Sequence, residues 1–435
     1  MPLQSLLYLS IFLPVSVFAV HWFHGAGKKA VILLFSIFFW YFLDPDHFLW
    51  AILLCLLNVA VSKAVSKKGQ TVRHGSAIIC SAASIIILAL CKFSILESPI
   101  GFSFLVFSIV SFQMDGEKGD SSWSILDGFL YLSFFPKLTM GPIVRFQDFL
   151  SDLHRDEPVT REDLDAGVRQ CIHGLFKKAV LADLIGEYAD LAFARTSQLT
   201  TAAAWVGLLL YALQLYYDFS GYSDLAIGSA RLFGFHFEKN FDHPYLSTSL
   251  TDFWRRWHIT LGAWFRNYLY FPLGGSRKGK VRTCLNLLIV FAATGLWHGA
   301  NWTFVLWGLL HGVVMVVERI GLSRRLLRLP HWVQIVYCDL LVCLGWVLFR
   351  SSTLIDAGKY YGHLFGFGTG TTLVREILPG HVALLLIVAI AGLGGFQSHY
   401  RDNATVRNVI DIVLLTAGIA GLYLGTGTTF IYAQF

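Results

Sequence analysis

Ten apolar runs recur along the sequence of 435 residues, and they restrict the possible folds more than any other feature. Within a bilayer every backbone amide must find an internal partner, so only helices and closed barrels can span it. The runs do not alternate apolar with polar residues, as barrel strands must. We therefore predict an all-α, polytopic transmembrane helical bundle. The runs are Leu3–Phe23, Ala30–Leu43, Phe48–Ser62, Ser76–Cys91, Ala202–Tyr217, Leu285–Trp297, Trp302–Val317, Trp332–Phe349, Val382–Phe396 and Val409–Leu424.

Several runs are shorter than the about 20 residues of a straight membrane span, so we expect broken, re-entrant or interfacial helices among them. We predict one membrane-embedded domain over residues 1–435, with N-terminal spans in 1–133, a motif-bearing core in 134–320 and C-terminal spans in 321–435. The first run has no basic segment before it and no small-residue cleavage site after it. We interpret it as a retained span and not as a signal peptide.

The distribution of charge predicts the orientation of the spans. Lysines follow the first run, aspartates follow the second, and lysines follow the third, while residues 231–282 hold nine Lys/Arg against three Asp/Glu. Because short cytoplasmic loops collect lysine and arginine, we predict an external N-terminus and a cytoplasmic 231–282 segment. The same bias accounts for the net charge of +6, so we predict membrane lipids and no nucleic acid as a partner.

The segment Asp252–Arg266 combines tryptophans and arginines at helical spacing. One predicted side carries Phe253, Trp257, Leu261 and Trp264, and the other Arg255, His258, Gly262 and Arg266. Two interpretations stay open: an interfacial helix with tryptophans at headgroup depth, or a surface whose arginine forks hold an anionic ligand. A glycine-containing turn follows at 272–277. The candidates for anion binding are Arg255, Arg256, Arg266, Arg277 and Lys278.

A histidine, His298, lies at membrane depth in the motif around Trp297 and Asn301, and we predict that these two neighbours line a cavity there. If the run from Thr283 is helical and starts at the cytoplasmic face, His298 lies roughly 24 Å of helix beyond that face. A neutral imidazole there is a candidate general base for activating a hydroxyl. The alternative is a histidine that is packed between helices and hydrogen-bonded to a neighbouring carbonyl group.

Further polar groups interrupt the apolar sequence at two places. Tyr217, Asp218 and Tyr222 lie where two apolar stretches join, and they are predicted either to line a polar cavity or to pair with arginines. Pro136 begins a segment with two prolines and a glycine, which predicts a broken or re-entrant helix along a cavity. No histidine pattern has the spacing of metal ligands, so we predict no metal.

Six motifs together resemble the membrane-bound O-acyltransferase family, and the loop at 272–276 is similar to that of its alginate O-acetyltransferase branch. The motifs are Phe-Phe-Pro-x5-Gly-Pro-Ile-Val-Arg at 134–145, Tyr-Asp-Phe-Ser-Gly-Tyr-Ser-Asp at 217–224, Phe-Asp-His-Pro-Tyr-Leu at 241–246, Asp-Phe-Trp-Arg-Arg-Trp-His-Ile at 252–259, Tyr-Phe-Pro-Leu-Gly-Gly-Ser-Arg at 270–277 and Gly-Leu-Trp-His-Gly-Ala-Asn-Trp at 295–302. The C-terminal motif 430–435 adds weaker support.

The resemblance implies a bundle of about eleven or more helices with a cytoplasmic pocket and an external funnel. It identifies His298 with the family's essential histidine and His258 with its second histidine. It implies a bacterial cytoplasmic-membrane enzyme that binds no permanent cofactor. Its donor would be cytosolic acetyl-CoA or another acyl thioester, and the acetyl group would pass outward to a polysaccharide such as alginate, through an extracytoplasmic acetyltransferase partner.

Other functions remain open at this stage. The family also includes D-alanyl transfer to teichoic acid from a carrier protein. A polysaccharide or lipid exporter would share the broken helices and basic mouths, although no inverted repeat is evident between the two halves of the sequence. A non-enzymatic membrane scaffold is the third alternative.

Overall fold

A computed structural model describes residues 2–117, 123–155, 157–368, 370–394 and 403–424. Within these ranges the regular structure is helical, apart from a single bridge between Leu199 and Thr372. The predicted all-α class is confirmed. The C-terminal motif 430–435 lies outside the described residues.

Twenty α-helices follow one another along the described chain, with short 3-10 or π-helical turns between some of them. They are α1 (Leu13–Trp22), α2 (Gly25–Leu43), α3 (Phe48–Val65), α4 (Gln70–Lys92), α5 (Phe102–Gly116), α6 (Ile125–Ser133), α7 (Phe146–Leu153), α8 (Arg161–Phe176), α9 (Asp183–Ala194), α10 (Thr201–Leu232), α11 (Leu250–Arg256), α12 (Ile259–Phe265), α13 (Gly279–His298), α14 (Trp302–Val317), α15 (Ser323–Leu326), α16 (His331–Arg350), α17 (Leu354–Leu364), α18 (Val374–Ile377), α19 (Gly380–Gly392) and α20 (Ala404–Leu424).

Seven helical segments of the described chain are long and apolar enough to cross a membrane. They are α2, α3, α4, α13, the segment Trp302–Leu326 that continues α14, α16 and α20. Many large apolar side chains on them point outward, such as Leu49 and Ile79, which are 72% and 70% exposed. Such surfaces suit lipid and not water, so the chain is a multi-pass membrane protein.

The chain forms two compact units. The first contains residues up to 175 together with 222–239, and the second contains 176–221 and the described residues from 240 onward. The motif-bearing segment 134–320 therefore contributes to both units.

In the first unit, the predicted break at Pro136 is present. Helix α6 ends at Ser133, and a buried 3-10 turn, Phe135–Lys137, replaces its next turn. The Lys137 ammonium donates to Ser108 Oγ at 3.0 Å and lies 4.0 Å from the ring centre of Tyr131. A cation is thus held by a hydroxyl and an aromatic face beside the broken helix.

Candidate active site

The predicted helix over Asp252–Arg266 is broken in the middle, so the prediction of one continuous helix is wrong. Helix α11 ends at Arg256 and α12 begins at Ile259. Between them His258 adopts φ 46° and ψ 53°, a left-handed conformation that is uncommon for a residue with a Cβ. The periodicity carries through the break, because both helices bury the predicted apolar side inside the second unit.

Asn240, 18 residues upstream, holds the break at His258 in place. Its Oδ1 accepts hydrogen bonds from Thr260 N at 3.3 Å and Thr260 Oγ1 at 3.0 Å, and its backbone oxygen accepts from Ile259 N at 2.9 Å. These bonds satisfy donors at the start of α12, which the helix itself leaves unpaired. Asn240 therefore substitutes for an N-cap residue.

The same Asn240 Oδ1 lies 3.1 Å from His258 Nδ1. Because the Thr260 amide must be a donor, Oδ1 is an acceptor, and His258 Nδ1 must donate to it. A neutral imidazole that donates from Nδ1 carries its lone pair on Nε2, which is the form a general base needs. Burial lowers the pKa of His258 to about 3, so this neutral form persists at physiological pH.

His258 lines a cavity of about 340 Å³ within the second unit, which we call the His258 cavity. Part of its wall is buried, and this part includes His258, Phe291 and Thr294, at 2%, 7% and 5% exposure. Three solvent-exposed arginines form another part of the wall. They are Arg255, Arg266 and Arg319. The cavity thus has a buried, mainly apolar end and a cationic mouth.

Two predicted anion-binding residues therefore line the His258 cavity, and Arg319 joins them from the end of α14. The signal for Arg319 was present in the sequence, since it begins an arginine-rich segment two apolar runs after the basic 231–282 segment. Its neighbour Glu318 is buried and accepts from Leu250 N at 2.8 Å and Thr251 N at 3.1 Å. A carboxylate at a helix N-terminus is favourable, and here it fixes α11 against α14.

Helices α13 and α14 form a tightly packed pair that carries His298. A Cβ at Gly295 would overlap the Phe304 carbonyl oxygen, and one at Gly308 would overlap that of Phe291. Glycine thus permits backbone contact at both points. His298 is the last residue of α13 and is 4% exposed. The predicted helix leading to His298 is confirmed.

Aromatic rings separate His298 from the His258 cavity. Trp254 lines the cavity, and its ring lies 5.8 Å from that of Trp307. The Trp307 ring in turn lies 5.2 Å from His298, and Phe349 lies 4.9 Å from His298 on another side. Thr294, one helical turn before His298, reaches the cavity wall. His298 is therefore about two rings away from the cavity.

Over residues 32–342, the sequence matches the MBOAT, membrane-bound O-acyltransferase family. The chain belongs to this family. A probable alginate O-acetylase of Pseudomonas syringae pv. tomato is 42% identical over 315 residues, which cover 70% of this chain and 60% of that protein. A peptidoglycan O-acetyltransferase of Helicobacter pylori is 39% identical over 340 residues, covering 71% and 64%. A teichoic acid D-alanyltransferase of Bacillus subtilis is 28% identical over 276 residues, covering 59% and 69%.

The matches include the segments that build the site but not the full length of the relatives. The chain spans about three fifths of the first alginate-related relatives, 60% and 62% in two Pseudomonas proteins. Membership in the O-acyltransferase family thus rests on the membrane core that contains His258 and His298.

Three residues that were predicted to bind the donor do not line the His258 cavity of this family member. Arg256 Nε is 3.1 Å from Asp252 Oδ1. Arg277, on the glycine-containing turn, and Lys278, which follows it, are both exposed. Asn286 of α13 holds the turn by donating from Nδ2 to Gly275 O at 2.9 Å. Their part in donor binding stays a prediction.

The residues predicted to line a cavity have varied surroundings. Asn301 caps α14 by accepting from Thr303 N at 3.2 Å, and Trp297 packs against His298 with ring centres 4.4 Å apart. Tyr217 donates to Ala389 O at 2.6 Å. Asp218 pairs with a buried lysine, Lys178, which also pairs with Asp183 at 2.7 Å.

Tyr222 and Pro136 belong to the first unit, whereas the residues that line the His258 cavity belong to the second. The hydroxyl groups of Tyr222 and Thr139 are hydrogen-bonded to each other, and both side chains are buried. Pro136 lies in the buried 3-10 turn that follows α6.

Proposed function

We propose that this protein is a membrane O-acyltransferase that takes an acyl group, acetyl in the first instance, from a cytosolic thioester and passes it to hydroxyls of an exported polysaccharide. The single observation that carries the proposal is the His258 cavity, where three exposed arginines surround the mouth and a neutral histidine lies at the buried end. An acyl-CoA has the matching polarity, because its phosphates are anionic and its acyl end is apolar.

In this proposal the 3′,5′-ADP phosphates of the donor bind at Arg255, Arg266 and Arg319. Arginine suits this task because its planar fork can hold phosphate oxygens by two parallel hydrogen bonds. The pantetheine arm then extends along the apolar wall, and the thioester lies near His258. Such a donor is used and released in each cycle, so no permanent cofactor is required.

Transfer itself needs a base on the acceptor side, and we assign this role to His298. The acceptor hydroxyl loses its proton to the imidazole as its oxygen bonds to the thioester carbon. The carbon–sulfur bond then breaks, and the CoA thiolate leaves and takes up the proton that the His298 imidazolium gives back. The Trp254 ring would have to swing aside at this step, since it lies between the cavity and the rings around His298.

The acceptor side would face outward. The charge distribution predicts that the 231–282 segment and Arg319 are cytoplasmic. Helix α13, with its 20 residues, is about 30 Å long, and this length supports a position of His298 on the far side of the bilayer. We place the protein in the bacterial cytoplasmic membrane, where an extracytoplasmic acetyltransferase partner would receive the acetyl group. The names of two relatives, an alginate O-acetylase and a peptidoglycan O-acetyltransferase, support a polysaccharide acceptor.

The second candidate is D-alanyl transfer to teichoic acid from a carrier protein, which the similarity to the Bacillus subtilis protein supports. A carrier-borne thioester has a single phosphate, whereas the cavity mouth has three arginines. This difference in charge favours acyl-CoA. An exporter or a scaffold would consume no thioester at all.

The proposal can be tested with purified protein in proteoliposomes that are loaded with acetyl-CoA whose acetyl group is labelled. Wild-type protein should release free CoA when a polysaccharide acceptor and its partner are present, and His298→Ala should release none while eluting as a folded protein. Normal release by His298→Ala would contradict the role of His298. No release by wild-type protein with acetyl-CoA, but release from a D-alanyl carrier thioester, would favour the second candidate.

A further inference from the structure

One side chain in the wall of the His258 cavity, Trp254, is held by a residue outside the cavity. Trp254 lines the cavity, and its Nε1 donates to His311 Nδ1 at 3.3 Å. His311 is 0% exposed and lies on α14, one α-helical turn beyond Trp307. It does not itself line the cavity.

The hydrogen bond restricts the imidazole to one form. Because Nδ1 accepts a hydrogen bond from the indole N–H, His311 must be neutral and carry its own proton on Nε2. The ring is further confined by Trp307, with ring centres 5.2 Å apart, and by Gly345, where a Cβ would lie 2.7 Å from Nε2. His311 is therefore a fixed acceptor, and it can orient the less buried indole.

Trp254 is less buried than its partner. It is only partly buried and belongs to α11, a helix of seven residues that ends at the His258 break. Its ring contacts Phe291 at 5.3 Å within the cavity wall and Trp307 at 5.8 Å behind it. Loss of the bond to His311 would free the ring to rotate, which would change the depth of the cavity.

We propose that Trp254 sets the largest acyl group that the donor site accepts, and that His311 is a positioning residue that holds Trp254 in this place. The inference rests on the proposed function, because it takes the acyl end of a thioester to lie at the buried end of the cavity. While the donor binds, and before the ring moves aside for transfer, a short acyl group fits in front of the indole. A longer one meets its face, which Trp307 supports from behind.

The test measures initial rates of thioester consumption with acetyl-, butyryl- and hexanoyl-CoA in proteoliposomes. Wild-type protein should prefer acetyl-CoA, and Trp254→Ala should shift the hexanoyl-to-acetyl ratio of kcat/KM at least tenfold towards the longer donor. Trp254→Phe, which keeps a ring but has no N–H, and His311→Phe, which has no acceptor, should each shift the ratio several-fold. The double variant should shift it no further than either single variant, because both remove the same bond.

A matched control is Trp205→Phe, since the Trp205 indole also makes one hydrogen bond, to Leu364 O at 3.0 Å, and does not line the cavity. This variant should keep the wild-type ratio. An unchanged ratio in Trp254→Ala, or additive effects of Trp254→Phe and His311→Phe, would overturn the inference while leaving acyl transfer intact. If wild-type protein consumed no acyl-CoA of any length, the proposed function would fail first. Loss of folded protein lowers the rates with both donors by the same factor. A changed ratio of kcat/KM therefore reports on the position of Trp254 and not on the amount of folded protein.

Discussion

The side chain of Asn240 binds His258 at 3.1 Å and also satisfies the first turn of α12, so one residue fixes both the backbone break and the tautomer of the histidine. Both residues are almost fully buried, at 1% and 2% exposure. The left-handed conformation of His258 is therefore maintained by its surroundings and not by its own preference.

Removing the Asn240 side chain should loosen the backbone break at His258 and release the tautomer of its ring. Asn240→Ala deletes the acceptor of three hydrogen bonds, so we expect the free energy of unfolding to fall by about 2 kcal/mol or more. Donor turnover should fall with it, because the tautomer of His258 is no longer fixed. Thermal unfolding in detergent measures the first effect. A variant with wild-type stability would show that these bonds contribute little.

Acid should destabilise the wild-type protein more than His258→Gln. The folded pKa of His258, about 3, lies below the unfolded value of about 6.5, so its contribution to stability is complete above pH 6.5 and declines as the pH falls towards 3. Between pH 7 and pH 5 the difference should reach roughly 1–2 kcal/mol. Parallel melting curves of both proteins at the two pH values test this; equal losses would contradict a neutral, buried His258.

Arg319→Gln should raise the KM for acetyl-CoA about tenfold with little change in kcat, since charge-assisted hydrogen bonds contribute about 1.5–3 kcal/mol and an exposed site retains only part of that. The effect should weaken at high salt. Arg328→Gln is the control, because Arg328 is also exposed and does not line the cavity. Arg277→Gln tests the prediction made from sequence. An equal rise in KM in all three variants would indicate general surface charge in place of a defined site.

Gly308→Ala should prevent correct packing of α13 against α14, because its Cβ would overlap the Phe291 carbonyl oxygen. We expect a loss of more than about 3 kcal/mol, or failure to fold, since the backbone cannot relax as a side chain does. Gly358→Ala is the control: Gly358 is in α17 and a Cβ there meets nothing within 4 Å. That variant should be neutral or slightly stabilised. Fluorescence-detected size exclusion after heating compares the two.

Lys178→Met should destabilise the second unit by about 3–5 kcal/mol, because it leaves the carboxylates of Asp183 and Asp218 buried without their shared cation. The triple variant Lys178→Met, Asp183→Asn, Asp218→Asn should regain much of this loss, since none of these three positions then carries a charge. Melting temperatures measured in the same detergent test the comparison. A triple variant less stable than Lys178→Met alone would exclude this electrostatic explanation.

The sequence by itself was sufficient for those features that a single segment specifies. Apolar runs predicted most of the membrane helices, although α5 lies in no run and α10 extends well beyond its run. The segment that begins at Pro136 predicted the break after α6, and the helix ending at His298 followed from its run. Local motifs also identified the family, while the roles that they suggest for the two histidines stay predictions. Each of these signals lies within neighbouring residues, where helical periodicity and backbone restriction act directly.

Only the tertiary structure decided which of these residues come together. Arg319 joins Arg255 and Arg266 at one cavity although it is far from both in sequence, while Arg277 and Lys278 near them in sequence remain outside. The break at His258 depends on Asn240, so the helical spacing of Asp252–Arg266 could not reveal it. The physical reason is the same in each case: spacing along the chain describes the face of one helix, whereas a cavity and a hydrogen bond depend on how separate helices pack.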